Sequence, residues 1–299
     1  MRERGKLGGG NIRPALCVGK QASYITIMII TVIIDVVIRA VITLSLNGRI
    51  QRLLCLPCPT YSASMTSSEC VIPFVITALS MFYLGKNSFR NISLILRTAF
   101  NIKVSHVTIS NWCTRFAPLF DDMRIQLLPL LDLNSDEWHA DETVVKIAGI
   151  KHYIWFVIDS ETRFVIGFHL SPHRDSSQAV SVLSEAKSNG KPAAVVSDRY
   201  SAYKVPIKAL LPETKHIRVQ SFKDDISNNL IECFNKQFKA WYKTKQGFSS
   251  FASANNLISM FVFFFNFIRP HSALNGLTPA QVAGLNLSNK QKRMFPLVA

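Results

Sequence analysis

Apolar and polar positions change rhythm twice along this chain. From Val71 to Leu84 apolar residues recur at helical spacing, and Gly85 supplies an end signal. Asn87-Ser88 offers a cap for a second helix through Leu96, and Ser105 a cap for a third from Val107 to Phe116. Near Pro129 the period shortens. Residues 137–145, 151–159 and 164–171 read as three strands with tight connections, the pattern of an antiparallel meander. A polar helix over Ser176–Ser188, a short strand ending at Asp198, a helix over Tyr200–Leu211 and a strand over Lys215–Gln220 follow. A long helix from Ser227 to Lys245 then precedes a phenylalanine-rich helix over 251–268, apolar enough to be buried.

Ahead of Val71 the pattern fails. Ile25 to Leu46 is almost continuously apolar, broken by Asp35 and Arg39. Such a run is long enough to span a bilayer. Its apolar side chains favour insertion by about 6 kcal/mol, however, and the two central charges oppose it by about 6 kcal/mol. Spanning is marginal, the β-branched content suits strands equally, and a membrane is not the expected partner.

Charge points elsewhere. A formal net charge of +15 in a chain only 18% charged calls for a polyanion. Cysteines 17, 55, 58, 70, 113 and 233 are too scattered for a secreted disulfide framework, and the first 23 residues lack the apolar core of a cleavable signal. The expectation is a cytoplasmic protein with a polyanionic partner.

The element order βββαβαβα is that of an α/β, RNase H-like core. In that layout the first strand, the fourth strand and a late helix bring their acids to one sheet edge. Those elements carry Asp141, Asp198 and Glu232, separated by 198 − 141 = 57 and 232 − 198 = 34 residues. Carboxylate oxygens are the ligands hard divalent cations require, and phosphodiester chemistry with two such ions needs this kind of set. Glu142 should point to the opposite strand face from Asp141. Asp159 and Asp175 read as turn or cap residues, and Trp138 as core.

Four motifs carry a family resemblance: Trp138-His139-Ala140-Asp141-Glu142-Thr143, Ser197-Asp198-Arg199-Tyr200-Ser201-Ala202-Tyr203, Asn228-Asn229-Leu230-Ile231-Glu232, and Phe265 through Pro279. Over about residues 75–285 the chain resembles the DDE transposases of insertion sequence family six, whose core is retroviral-integrase-like. The resemblance implies that Asp141, Asp198 and Glu232 are catalytic and hold two Mg²⁺ ions, with Mn²⁺ as a substitute. It also implies a prokaryotic, nucleoid-associated protein without a small-molecule substrate, and a basic residue at Lys239 that touches DNA near the scissile phosphate. Lys236 and Lys243 extend that basic face, Asn229 sits one turn before Glu232, and Arg199, Tyr200 and Tyr203 border the groove. His271 belongs to a turn and is not expected to be catalytic, and Thr278-Pro279 should open a short closing helix.

Residues 87–116 resemble a helix-turn-helix in which Thr108, Ser110, Asn111 and Arg115 meet DNA while Ile109, Trp112 and Phe116 face the core. Cys55-Leu56-Pro57-Cys58 resembles half a zinc ribbon. Cys55 and Cys58 lack a second pair, so Zn²⁺ is not expected. The missing half falls in the apolar run, which suggests that residues 1 to about 46 are a frameshifted or wrongly started reading of a degenerate element.

The resulting organisation is an atypical region over 1–70, a helix-turn-helix region over 71–130, a catalytic core over 131–287 and a basic tail over 288–299. The expected activity is binding of terminal inverted repeats, then Mg²⁺-dependent cleavage and transfer into target DNA by a homodimer or larger synaptic complex. A catalytically silent repressor and an RNase H-like nuclease are the alternatives.

Overall fold

Residues 67–219 and 228–287 are described by a computed structural model of the protein. The apolar run, Cys55, Cys58 and the basic tail lie outside the described residues.

Helix α1 spans Ser67–Tyr83, α2 Phe89–Phe100 and α3 His106–Leu127. The two expected caps hold: the Ser88 hydroxyl accepts from the Asn91 N–H at 3.2 Å, and the Ser105 hydroxyl from the Thr108 N–H at 3.0 Å. Helix α3 does not stop at Phe116. It continues through Pro118 because Ile109, Cys113, Ala117, Phe120, Met123 and Leu127 form one buried stripe at helical spacing. Packing of that stripe outweighs the roughly 3 kcal/mol that a proline imposes inside a helix.

The sheet contains β1 (Ser135–Ile147), β2 (Ile150–Asp159), β3 (Val165–Ser171), β4 (Pro192–Ser197) and β5 (Lys215–Arg218), in the order β3-β2-β1-β4-β5. The first three strands are antiparallel, and β4 and β5 run parallel to β1. Helix α4 (Ser176–Asn189) joins β3 to β4, and α5 (Lys204–Leu210) joins β4 to β5. Helices α6 (Asn229–Lys243) and α7 (Phe251–Phe263) follow. This is the expected RNase H-like layout.

Successive β2 residues assign the faces. The Trp155 ring meets Tyr203 at 5.4 Å, on the side of α4 and α5. The neighbouring Phe156 ring meets Phe234 and Phe238 of α6 at 4.8 and 5.2 Å, on the other side.

Helices α1 to α3 share this core. Phe82 and Tyr83 pack on Trp241, and Phe120 packs on Phe263 and Phe264. Beyond α7 the buried Asn266 amide clasps Val165, accepting from its N–H and donating to its carbonyl, both at 2.9 Å. The chain closes on α8 (Pro279–Val282), opened as expected by Thr278, whose hydroxyl and N–H exchange hydrogen bonds with Gln281. Among the described residues Phe251–Leu274 is the one helical stretch long and apolar enough to cross a membrane, and most of it is buried in this core.

Candidate active site at the sheet edge

Strand β1 outruns its parallel partner. Pairing with β4 begins at Ser135↔Pro192 and ends at Ala140↔Ser197. One residue further on each strand stand Asp141 and Asp198, so the parallel register alone makes them neighbours. Past Ala140 the β4-side edge of β1 has no strand beside it, and its backbone groups need other partners. The Lys146 N–H donates to the Tyr242 hydroxyl at 2.6 Å, the Phe248 N–H to the Lys146 carbonyl at 2.9 Å, and the Lys239 ammonium to the Val144 carbonyl. These contacts hold α6 along the edge, with Glu232 in its first turn. His139 contributes at the same helix start, its Nδ1 lying 3.3 Å from the Asn228 side-chain oxygen.

Strand alternation sends Asp141 toward α6, where Asn235 donates to its carboxylate at 2.7 Å. Burial pushes the Asp141 carboxyl up to about 7, reinforced by the neighbouring charges of Glu142 and Asp198 and partly offset by the Glu142 N–H and Asn235. Glu142 faces the other way, as expected. There the Tyr203 hydroxyl donates to it at 2.8 Å and Arg174 pairs with it. Even so, one carboxylate oxygen from each of Asp141, Glu142 and Asp198 lies within 4.8 Å of the others. Beyond the end of β4, side chains from opposite faces can meet around the open edge.

Glu232 is not part of that close group. It lines a cavity of about 610 Å³ together with Asp141 and Glu142, while Lys236, Lys239 and Lys243 form part of the wall. Its carboxylate has no hydrogen bond or ion pair among the described residues. The Lys239 ammonium, expected at a phosphate, is occupied by Val144; burial lowers its pKa, and Lys243 lowers it further. Acids and lysines lining one cavity suit a cation and a phosphodiester together.

The remaining expected residues lie elsewhere. Arg199 is exposed beside Asp198, and Asn229 is exposed at the first residue of α6; neither lines the cavity. On α3, Asn111 and Arg115 are exposed and Ser110 is half-buried. The Thr108 hydroxyl is engaged with Ser105 at 2.9 Å. Ile109 is buried as expected, and Trp112 and Phe116, half-buried, pack against the core as expected, with Cys113 and Ala117 completing the buried stripe. Trp138 is core, Asp159 binds the turn at Thr162, and Asp175 caps α4. His271, its pKa pushed down to about 4 mainly by burial, packs edge-on against Phe265.

Asn235, Arg174 and the role of Tyr242 were not anticipated. Asn235 could have been found, since it follows Glu232 by three residues on a helix. Arg174 had no comparable signal.

Comparison with known proteins shows what this geometry is similar to. The model of a DDE domain of the IS240 transposase type matches residues 135–271, from β1 to the turn after α7. The transposase of insertion sequence-like element IS431mec from Staphylococcus aureus is 28% identical over 187 residues, which cover 62% of this chain and 80% of that protein. The transposase of IS257 in transposon Tn4003, also from Staphylococcus aureus, matches at the same identity and coverage. Among solved structures, a simian T-cell lymphotropic virus intasome bound to PP2A regulatory subunit B56 gamma superposes with a TM-score of 0.43 at 18% identity, covering 52% of this chain and 56% of that one. The HTLV-2 integrase catalytic core in complex with magnesium superposes with a TM-score of 0.39 at 17% identity, covering 52% and 98%. The stretch from β1 to the turn after α7, which carries the carboxylate edge, thus matches a DDE domain and is similar to the transposases of insertion sequence family six, which are polynucleotidyl transferases.

Proposed function

We propose that this transposase binds the terminal inverted repeats of its element and, with Mg²⁺, cleaves their strand ends and joins the 3′-hydroxyls to target DNA. The supporting observation is the parallel register that makes Asp141 and Asp198 neighbours, with Asp141 and Glu232 lining one cavity together with three lysines. The donor chemistry fits a hard divalent cation: Asp141 and Asp198 bring carboxylate oxygens within 4.8 Å of each other and of Glu142, and Asp141 has its pKa raised first by burial and then by those two neighbouring charges. Bound Mg²⁺, or Mn²⁺ in its place, supplies Lewis-acid stabilisation of the attacking and leaving oxygens.

In this reading Asp141, Asp198 and Glu232 are the ligands. Glu232 is chosen over Glu142 because its carboxylate is unengaged among the described residues, whereas both Glu142 oxygens already accept hydrogen bonds. Asn235 orients Asp141. Lys236 and Lys243 meet the phosphate backbone, and Lys239 joins them by exchanging the Val144 carbonyl for a phosphate oxygen. Arg199 and Asn229 flank the groove. Residues 71–130 form the end-binding region, with Asn111 and Arg115 outermost on α3 and Thr108 and Ser110 beside them. Holding two ends requires a dimer or larger complex.

Purified protein incubated with Mg²⁺, labelled terminal-repeat DNA and a target plasmid tests this. Strand-transfer products should form with the wild type and vanish in Asp141→Ala, Asp198→Ala and Glu232→Ala. Repeat binding with no cleavage by the wild type would sink the enzymatic reading.

A further inference from the structure

Arg174 belongs to none of the motifs. It sits in the β3–α4 connection, directly before the cap residue Asp175. Its guanidinium is held on several sides. Nε and Nη2 both donate to Glu142 Oε1, the Nε bond measuring 2.7 Å. The guanidinium carbon stands 4.2 Å from the Tyr200 ring centroid and 5.9 Å from that of Tyr153. Tyr200 closes the frame: its hydroxyl donates to the Arg174 carbonyl at 2.6 Å, and its N–H donates to Asp198 Oδ1 at 3.0 Å. Arg174 is thus tied to Glu142 directly and to Asp198 through one residue.

The ion pair accounts for only one edge of the guanidinium. The Glu142 side chain is 3% exposed, yet that of Arg174 is 42% exposed. Nη1 has no hydrogen-bond partner among the described residues. A buried carboxylate and aromatic rings therefore fix an arginine whose remaining donors open to solvent at the rim of the carboxylate cluster. Fixing the side chain in advance removes most of the ordering entropy of a later contact, and a planar fork with free donors matches a phosphate oxygen.

We propose that Arg174 is a phosphate contact for DNA in the catalytic groove, with Glu142 as the residue that positions it. The proposal rests on the DNA-cleaving reading above. A purely structural role, in which Arg174 only neutralises Glu142, is the competing outcome.

The full chain and a fluorescent terminal-repeat duplex, without added metal, separate the two in an anisotropy titration across a salt series. Arg174→Gln should weaken binding several-fold and lower the salt slope by about 0.9, the value for one lost phosphate contact. Because that change strips Glu142 of its counter-ion, the double variant Arg174→Gln with Glu142→Gln decides the matter: it removes both charges and leaves Tyr203 an acceptor. The same lowered slope in the double variant supports a phosphate contact. Recovery of wild-type affinity and slope overturns it and leaves Arg174 a counter-ion. Glu142→Gln alone should weaken binding less and keep the wild-type slope, because the charge remains and only its anchor loosens. Wild-type protein that binds no DNA overturns the transposase reading and this proposal together. Wild-type binding with unchanged slopes in both Arg174 variants overturns this proposal alone.

Discussion

The carboxylate edge of the sheet and the helical unit ahead of it differ in what dictates side-chain position. At the edge the backbone does most of the work. The register of β1 against β4 leaves Asp198 no place but beside Asp141, and the unpaired groups of β1 draw α6 onto the edge through Lys239 and Tyr242. In the helical unit side-chain packing decides. Helix α3 is placed by one apolar stripe, and its exposed Asn111 and Arg115 follow from whichever face that stripe leaves outward. Backbone register tolerates surface change and fails abruptly when shifted, whereas a packed stripe weakens in proportion to what is removed.

The largest expected effect strikes where the two regions meet. Phe120 is 1% exposed, with its ring 4.9 Å from Phe263 and 5.7 Å from Phe264. Phe120→Ala should lower stability by about 3–5 kcal/mol, as expected for a buried phenylalanine. Because α1 to α3 share one core with α6 and α7, the loss should appear as a single earlier transition in urea. Two separate transitions would break the comparison, since the helical unit would then hold its own core.

A smaller effect of opposite sign is expected at the edge. Asp141 binds a proton up to pH about 7 in the folded protein, but only below about 4 in an unfolded chain. Between those values the native state holds more protons, so wild-type stability should fall as pH rises from 4 to 7, with the penalty complete above 7. Asp141→Asn carries no charge to repel Glu142 and Asp198. At pH 8 it should be more stable than the wild type by on the order of 2–4 kcal/mol, while strand transfer is lost. Thermal unfolding of both proteins from pH 4.5 to 8 measures this, and parallel curves would contradict it. Stability given up at a functional edge is the behaviour expected of a site awaiting a cation.

The same contrast explains what the sequence made legible. Asp141, Asp198 and Glu232 could be placed because each sits at a recognisable point of its element: inside the first strand, at the end of the fourth, and near the start of a long helix. The caps at Ser88, Ser105 and Thr278 were legible for the same local reason. The Asn235–Asp141 and Lys239–Val144 contacts join residues 94 and 95 positions apart; helical spacing puts Asn235 and Lys239 on the face of Glu232, but it does not encode which strand atom each will meet. Glu142 shows the limit of alternation as a rule. Its direction was right, yet its carboxylate still joins the cluster, because a sheet edge lets both faces meet. Arg174 shows a second limit: its partners come from β1, β2 and the loop after β4, a convergence only the tertiary structure supplies.

Pro118 gives the finest test of whether packing, rather than local propensity, carries α3 past the point where its sequence suggests an end. It is exposed, while Ala117 and Phe120 on either side of it are buried. The ring removes one helical N–H and crowds the carbonyl of Thr114, four residues earlier. Thr114 itself is exposed, so water can satisfy that carbonyl and the distortion stays on the solvent side. If the buried stripe holds the helix, Pro118→Ala should restore the missing bond without moving Phe120. The helix interior would gain up to roughly 3 kcal/mol, reduced by about 1 kcal/mol because the alanine chain is freer when unfolded. A net gain of about 1–2 kcal/mol in the urea midpoint, with unchanged binding to terminal-repeat DNA, is therefore expected. A loss of stability would mean that the proline bend itself aims Phe120 into the core, and α3 would then owe its course to its backbone as the sheet edge does.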